Sequence, residues 1–165
     1  MWHVARGTAL AFLATAVACS GGSGKTTTST ARAAQMSLSS PAFTDGGTIP
    51  RQFTCEGADQ SPPLAWSGVP AGTTTLSLVV EDPDASNGTF VHWTVSGIPP
   101  STASIAAGQV PAGASQGRNT RGATRYTGPC PPSGQTHHYL FTLKALAGSS
   151  VVGLGRLTCT YKLGG

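Results

Sequence analysis

From Met36 onward the chain alternates short apolar runs with clusters of proline and glycine, and no stretch before its C-terminal region keeps a 3.6-residue apolar period for three turns. Such a chain must bury its apolar side chains on strands. The clusters SPPLAWSGVPAG, DPDASNG, SGIPPSTAS and GPCPPSG hold many of its 22 glycines and 12 prolines, whose rings fix φ and withdraw backbone donors from any ladder. Only 10% of the residues are charged, which fits a loop-rich all-β domain better than a helical bundle. In TTTLSLVVED, Leu76, Leu78 and Val80 share one face, and Thr75, Ser77 and Val79 the other. In TFVHWTVSGIP, Val91, Trp93 and Val95 oppose Phe90, His92 and Thr94. In HHYLFTLKALA, His137, Tyr139, Phe141 and Leu143 fall together, so His137 is the inward member of the histidine pair and His138 faces out with Thr142 and Lys144. No fixed-period repeat occurs, which excludes solenoids and propellers.

The N-terminal stretch has a different character. Arg6 precedes Thr8 to Ala18, an apolar run too short to cross a bilayer as a mature helix, and residues 1–18 are expected to be a signal peptide. Ala16, Val17 and Ala18 stand immediately before Cys19 and resemble a bacterial lipobox, whose cysteine takes lipid, including palmitate. Residues 19–36 then form a lipid-anchored tether, since Ser20 to Arg32 has no apolar period to offset the entropy of ordering it. The domain proper is expected over 37–165. Its expected location is the bacterial cell envelope, anchored by lipid and facing away from the cytoplasm; the alternative is ordinary secretory cleavage that leaves a secreted or periplasmic soluble protein.

The formal net charge of +4 comes from scattered Lys and Arg, with no basic block and no aromatic-interleaved stripe, so nucleic acid is not an expected partner. Catalytic signatures are also missing. No Gly-x-Ser-x-Gly elbow occurs, because Gly113 to Ser115 lacks the closing glycine. No His-x-x-x-His or Cys-x-x-Cys pair offers metal-ligand spacing, and the adjacent His137 and His138 rings lie on opposite faces of a strand. Two histidines and a carboxylate leave a metal-assisted hydrolase as the least favoured alternative, and neither an enzyme, a metal nor a cofactor is expected.

Three segments carry the polar chemistry: DPDA at Asp82 to Ala85, VHW at Val91 to Trp93, and YTGPCPPSGQTHHY at Tyr126 to Tyr139. Together with SPPLAW and VPAGASQGRN, their order and spacing resemble the phosphatidylethanolamine-binding protein family, also called Raf kinase inhibitor-like, across nearly all of Met36 to Leu146. The resemblance implies an antiparallel β-sandwich whose pocket takes phosphate-type anions or phospholipid headgroups. It implies that Asp82, His92, His137 and Tyr139 line that pocket, with Gly128, Cys130 and Pro131 as its loop wall. Two imidazoles, a phenol and loop N–H groups are the donors a phosphate needs, while a carboxylate can fix imidazole tautomers and meet an ethanolamine ammonium. Some members of the family inhibit kinases or proteases, so the resemblance also admits a protein-interaction module with a protein partner. Arg118, Arg121 and Arg125 precede the GPCPPSG loop and could extend the anion surface, although exposed loop arginines are more often just solvated, and they are not placed among the expected pocket residues.

Beyond Cys19 the chain has Cys55, Cys130 and Cys159, an odd number that permits at most one internal pair. The family pattern places Cys55 and Cys130 in loops near the binding end and so implies that disulfide; three separate thiols is the other reading. The C-terminal part departs from the family, whose members carry a helical segment before the last strand. Here only Gly148 to Gly155 precedes an expected strand over Arg156 to Leu163. The shortened segment leads us to expect exposed apolar surface, or a homodimer that covers it.

Overall fold

A computed structural model describes residues 32–164. The signal peptide expected over 1–18, the lipidation site Cys19 and the tether as far as Ala31 lie outside the described residues. The domain is all-β, with a single turn of 3-10 helix at Arg51–Phe53. Its strands are β1 (Ala34–Gln35), β2 (Ser37–Ser39), β3 (Leu64–Ser67), β4 (Thr75–Asp82), β5 (Phe90–Ile98), β6 (Ser104–Ile105), β7 (Ser115–Gln116), β8 (Thr136–Ala147) and β9 (Ser150–Lys162). They form a six-stranded sheet in the order β1-β9-β8-β4-β5-β7 and a three-stranded sheet in the order β2-β3-β6.

Alternation builds the core. Leu76, Leu78 and Val80 of β4, Tyr139, Phe141 and Leu143 of β8, and Leu157 and Cys159 of β9 are all buried. They form one apolar cluster with Leu38, Leu64, Trp66 and Ile105 of the smaller sheet. The long strands pair antiparallel, as expected, but the sheet is mixed at its edge, where β1 runs parallel to β9 through Ala34–Gly153 and Gln35–Leu154. Met36 is only 2% exposed and donates its N–H to Leu154 O at 2.9 Å. The ordered domain therefore takes in Ala34 to Met36, which the composition had assigned to the tether.

The C-terminal region corrects a second expectation. Gly148 to Gly155 is not an eight-residue connection: Gly148 (φ 60) and Ser149 turn the chain in two residues, and β9 starts at Ser150. Gly153 and Gly155 lie within the strand because another segment crosses them. A Cβ on Gly153 would stand 2.8 Å from Met36 Sδ and 2.9 Å from the Pro70 ring, and one on Gly155 would stand 3.2 Å from Leu38 Cβ. The expected apolar exposure is not found either. Among the described residues Val151, at 41%, is the one large hydrophobic side chain that is exposed.

Candidate functional site

Because β4 pairs antiparallel with both β5 and β8, its C-terminal end lies beside the starts of both neighbours. Asp82, Phe90, His92 and His137, separated by up to 55 residues in the chain, therefore meet at one end of the large sheet. They line a cleft of about 250 Å³. Gly128, Cys130, Pro131 and Pro132 wall one side of it, and Ala85, Ser86, Arg121 and Gln135 complete the lining. Of the residues expected from the sequence, Asp82, His92, His137, Gly128, Cys130 and Pro131 stand together here.

The hydrogen bonds assign the protons. His92, 5% exposed, places Nδ1 2.7 Å from Thr127 O. A carbonyl only accepts, so Nδ1–H donates and Nε2 is the ring's free atom. Burial is the main influence holding the His92 imidazole below the usual histidine range. Its free nitrogen is then a lone pair at neutral pH, not the donor that the residue type alone suggested. His137, 6% exposed, donates Nδ1–H to Asp82 Oδ2 at 2.8 Å, and its Nε2 lies 3.2 Å from Gln135 Oε1. Asp82 Oδ1 accepts the Asp84 N–H at 2.8 Å. Each carboxylate oxygen of Asp82 thus has a partner within the protein.

Tyr139 is placed differently from the expectation. Two residues further along β8 than His137, it is fully buried and packs edge-on against His92, with ring centroids 5.2 Å apart, and it is not part of the cleft lining. Its hydroxyl has no hydrogen-bond partner among the described residues, and burial drives its pKa well above the usual phenol range.

The loop wall is fastened from behind. Cys55 and Cys130 form a disulfide, Cys55 N–H donates to Pro129 O at 3.1 Å, and Tyr126 Oη donates to Phe53 O at 3.0 Å. Gly128 N–H donates to Asp59 Oδ1 at 2.6 Å, so this loop donor is already in use. A Cβ on Gly128 would fall 2.7 Å from Phe53 O and 2.8 Å from Thr54 Cα, and only glycine fits that approach. Asp84 and His138 form an outer pair facing away from Asp82–His137. Asp84 Oδ2 accepts His138 Nδ1–H at 2.7 Å and its backbone N–H at 2.8 Å, and the side-chain bond is the main influence lowering the Asp84 pKa. Among the described residues no cluster of His, Cys, Asp or Glu could hold a metal ion.

Reading the sequence missed Ser86 and Gln135 as cleft residues and ranked Arg121, one of three loop arginines that could extend the anion surface, below the pocket. Arg121 lies in NTRG, an Asn–Gly turn pattern that predicts the backbone but not where the side chain points.

A two-sheet β-domain whose strand ends gather an Asp–His pair and a braced histidine around a small cleft is a ligand-binding class of protein. The chain belongs to the phosphatidylethanolamine-binding protein family, whose profile matches residues 39–162. It is 52% identical over 118 residues to a Mycobacterium tuberculosis protein carrying the lipoprotein name LppC, an overlap of 71% of this chain and 58% of that one. The chain thus spans little more than half the length of the first curated relatives it matches. Among solved structures, a phosphatidylethanolamine-binding protein homologue from Chlamydia trachomatis superposes with a TM-score of 0.73 at 33% identity, covering 78% of this chain and 97% of that one. Escherichia coli YbcL, described as a member of the mammalian PEBP family, gives 0.74 at 29% identity, covering 79% and 99%.

Proposed function

We propose that the cleft binds the headgroup of a phosphate-type anion, from a phospholipid or a free phosphorylated metabolite, and that the protein acts as a binding protein and not as an enzyme. The observation that carries this reading is a preformed cleft in which the His137–Asp82 pair and the free Nε2 of His92 converge, with that Nε2 open to accept from a headgroup's ammonium or a protonated phosphate oxygen. At about 250 Å³ it lies below the roughly 300–1,000 Å³ of drug-sized sites, a size suited to a headgroup and too small for acyl chains. Family membership supports a ligand-binding role. Asp82 and His137 are occupied in holding one another, and among the described residues no hydroxyl or thiol of the lining is hydrogen-bonded to a histidine or a carboxylate. The lipoprotein name of the mycobacterial relative supports attachment through Cys19 to the outer face of a cell membrane.

The test is a titration of the domain with phosphoethanolamine, followed through the ring resonances of His92 and His137. Saturable shifts of both rings are expected. Resonances that stay in place at millimolar ligand would refute the proposal.

A further inference from the structure

We infer that Arg121 is the residue that sets the charge preference of this cleft, its fixed guanidinium receiving the ligand's anionic group so that capture needs no protonated histidine. This rests on the anion-binding reading above and names the residue that performs it.

Three placements lead to it. The first is the supply of positive charge. Arg121 is the permanent cation of the lining, and the Asp82 oxygens already accept from His137 and the Asp84 N–H. His92 has its Nδ1–H committed to Thr127 O, and the Gly128 N–H is committed to Asp59. An incoming anion therefore finds few free donors on the floor of the cleft and a carboxylate beside it.

The second is that Arg121 is free to act. Arg125 pairs with Asp59 Oδ2 at 3.2 Å, Arg118 donates to Gly122 O at 3.1 Å, and Arg51 lies 3.8 Å from Glu56. Among the described residues no acceptor engages the Arg121 guanidinium in a hydrogen bond or ion pair, although its side chain lines the cleft. Exposed arginines are commonly just solvated. This one differs in that its backbone is held.

The third placement is that backbone. Gly122 N–H donates to Asn119 O at 2.8 Å, closing a turn with Thr120 and Arg121 at its centre and Gly122 at φ 80. Thr120 N–H donates to Val91 O at 3.0 Å and Thr120 Oγ1 accepts the Val91 N–H at 2.8 Å, fixing the turn to β5. Asn119, itself buried, donates to Thr127 Oγ1 at 2.9 Å, and Thr127 is the residue whose carbonyl braces His92. The turn that presents Arg121 and the loop that orients His92 are one hydrogen-bonded unit, so the backbone that carries the guanidinium is held beside the cleft. Its nearness to His92 also contributes to keeping that imidazole neutral.

The experiment uses dimethyl phosphate, a monoanion throughout the neutral range, titrated calorimetrically into the wild-type domain, Arg121→Gln, Arg121→Lys and Arg156→Gln at pH 7.5. Arg156 is exposed on β9 and outside the cleft lining, so its variant removes the same charge elsewhere. We expect Arg121→Gln to bind about tenfold more weakly or worse, Arg121→Lys to fall between it and wild type, and Arg156→Gln to stay within about twofold. Thermal midpoints of all four proteins establish that each is folded. Wild-type affinity retained by Arg121→Gln would overturn the role of Arg121 while leaving the cleft reading intact. Equal losses in Arg121→Gln and Arg156→Gln would overturn it in favour of net charge. A wild-type domain that binds no phosphate ester, with unmoved His92 and His137 resonances, would overturn both.

Discussion

Tyr139 carries a hydroxyl that folding removes from water without giving it a protein partner. Leaving such a group unsatisfied costs on the order of 1–3 kcal/mol. Phenylalanine keeps the ring against His92 and removes the cost, so Tyr139→Phe is expected to raise stability in urea denaturation by about 1 kcal/mol. A loss of stability would mean that the hydroxyl is satisfied within the fold. Residue by residue, the sequence was informative about faces and silent about depth. Period-2 alternation put His137 and Tyr139 on one side of β8, but it could not tell that His137 ends at the cleft while Tyr139 lies in the core. Arg121 could not be singled out from Arg118 and Arg125 for a related reason, since a turn's side chain takes its direction from what the turn is docked on.

Strands β4, β5 and β8 could be read directly, because each has a run of alternating large side chains between strong turn signals. β9 could not. Its first half alternates exposed and small residues, with Gly153 and Gly155 on the crossed face, and glycines in sequence read as turn. They are glycines because the Met36 to Leu38 segment and Pro70 pass over them. Gly153→Ala is expected to destabilise the domain by about 1–3 kcal/mol, since the proline ring cannot swing away as the methionine side chain can. The loss should be focused on the edge of the sheet. Amide exchange at Met36, whose N–H is held by Leu154 O, should accelerate more than exchange at Phe141 in the centre of β8. Uniform acceleration, or none, would contradict the account of why β9 contains these glycines.

At the scale of the whole molecule, the segment from Arg51 to Asp59 joins parts of the chain that pair in no common sheet. Its Cys55 bonds to Cys130 across a separation of 75 residues, Asp59 holds Gly128, and Glu56 accepts from the Tyr161 hydroxyl and from Gly164 N–H at 3.0 Å. Closing a loop of that length restricts the unfolded chain by roughly 4 kcal/mol in the chain-entropy picture. Both bridging cysteines are exposed, whereas Cys159 is buried in β9 with its thiol pushed up to about 12, which leaves it unreactive towards the pair. Reduction, or the double change Cys55→Ala and Cys130→Ala, is therefore expected to lower unfolding stability by about 2–4 kcal/mol, read as a lower urea midpoint, without disulfide exchange onto Cys159. The hydrogen bonds of Asp59, Phe53 and Cys55 to the wall loop remain in a reduced protein, so it should stay folded, with the wall less firmly held. Because Cys130 also lines the cleft, affinity for phosphoethanolamine should fall with the urea midpoint. A reduced protein with wild-type affinity would show that the noncovalent contacts alone fix the shape of the site, and an unchanged midpoint would show that the unfolded chain is already constrained without the bridge.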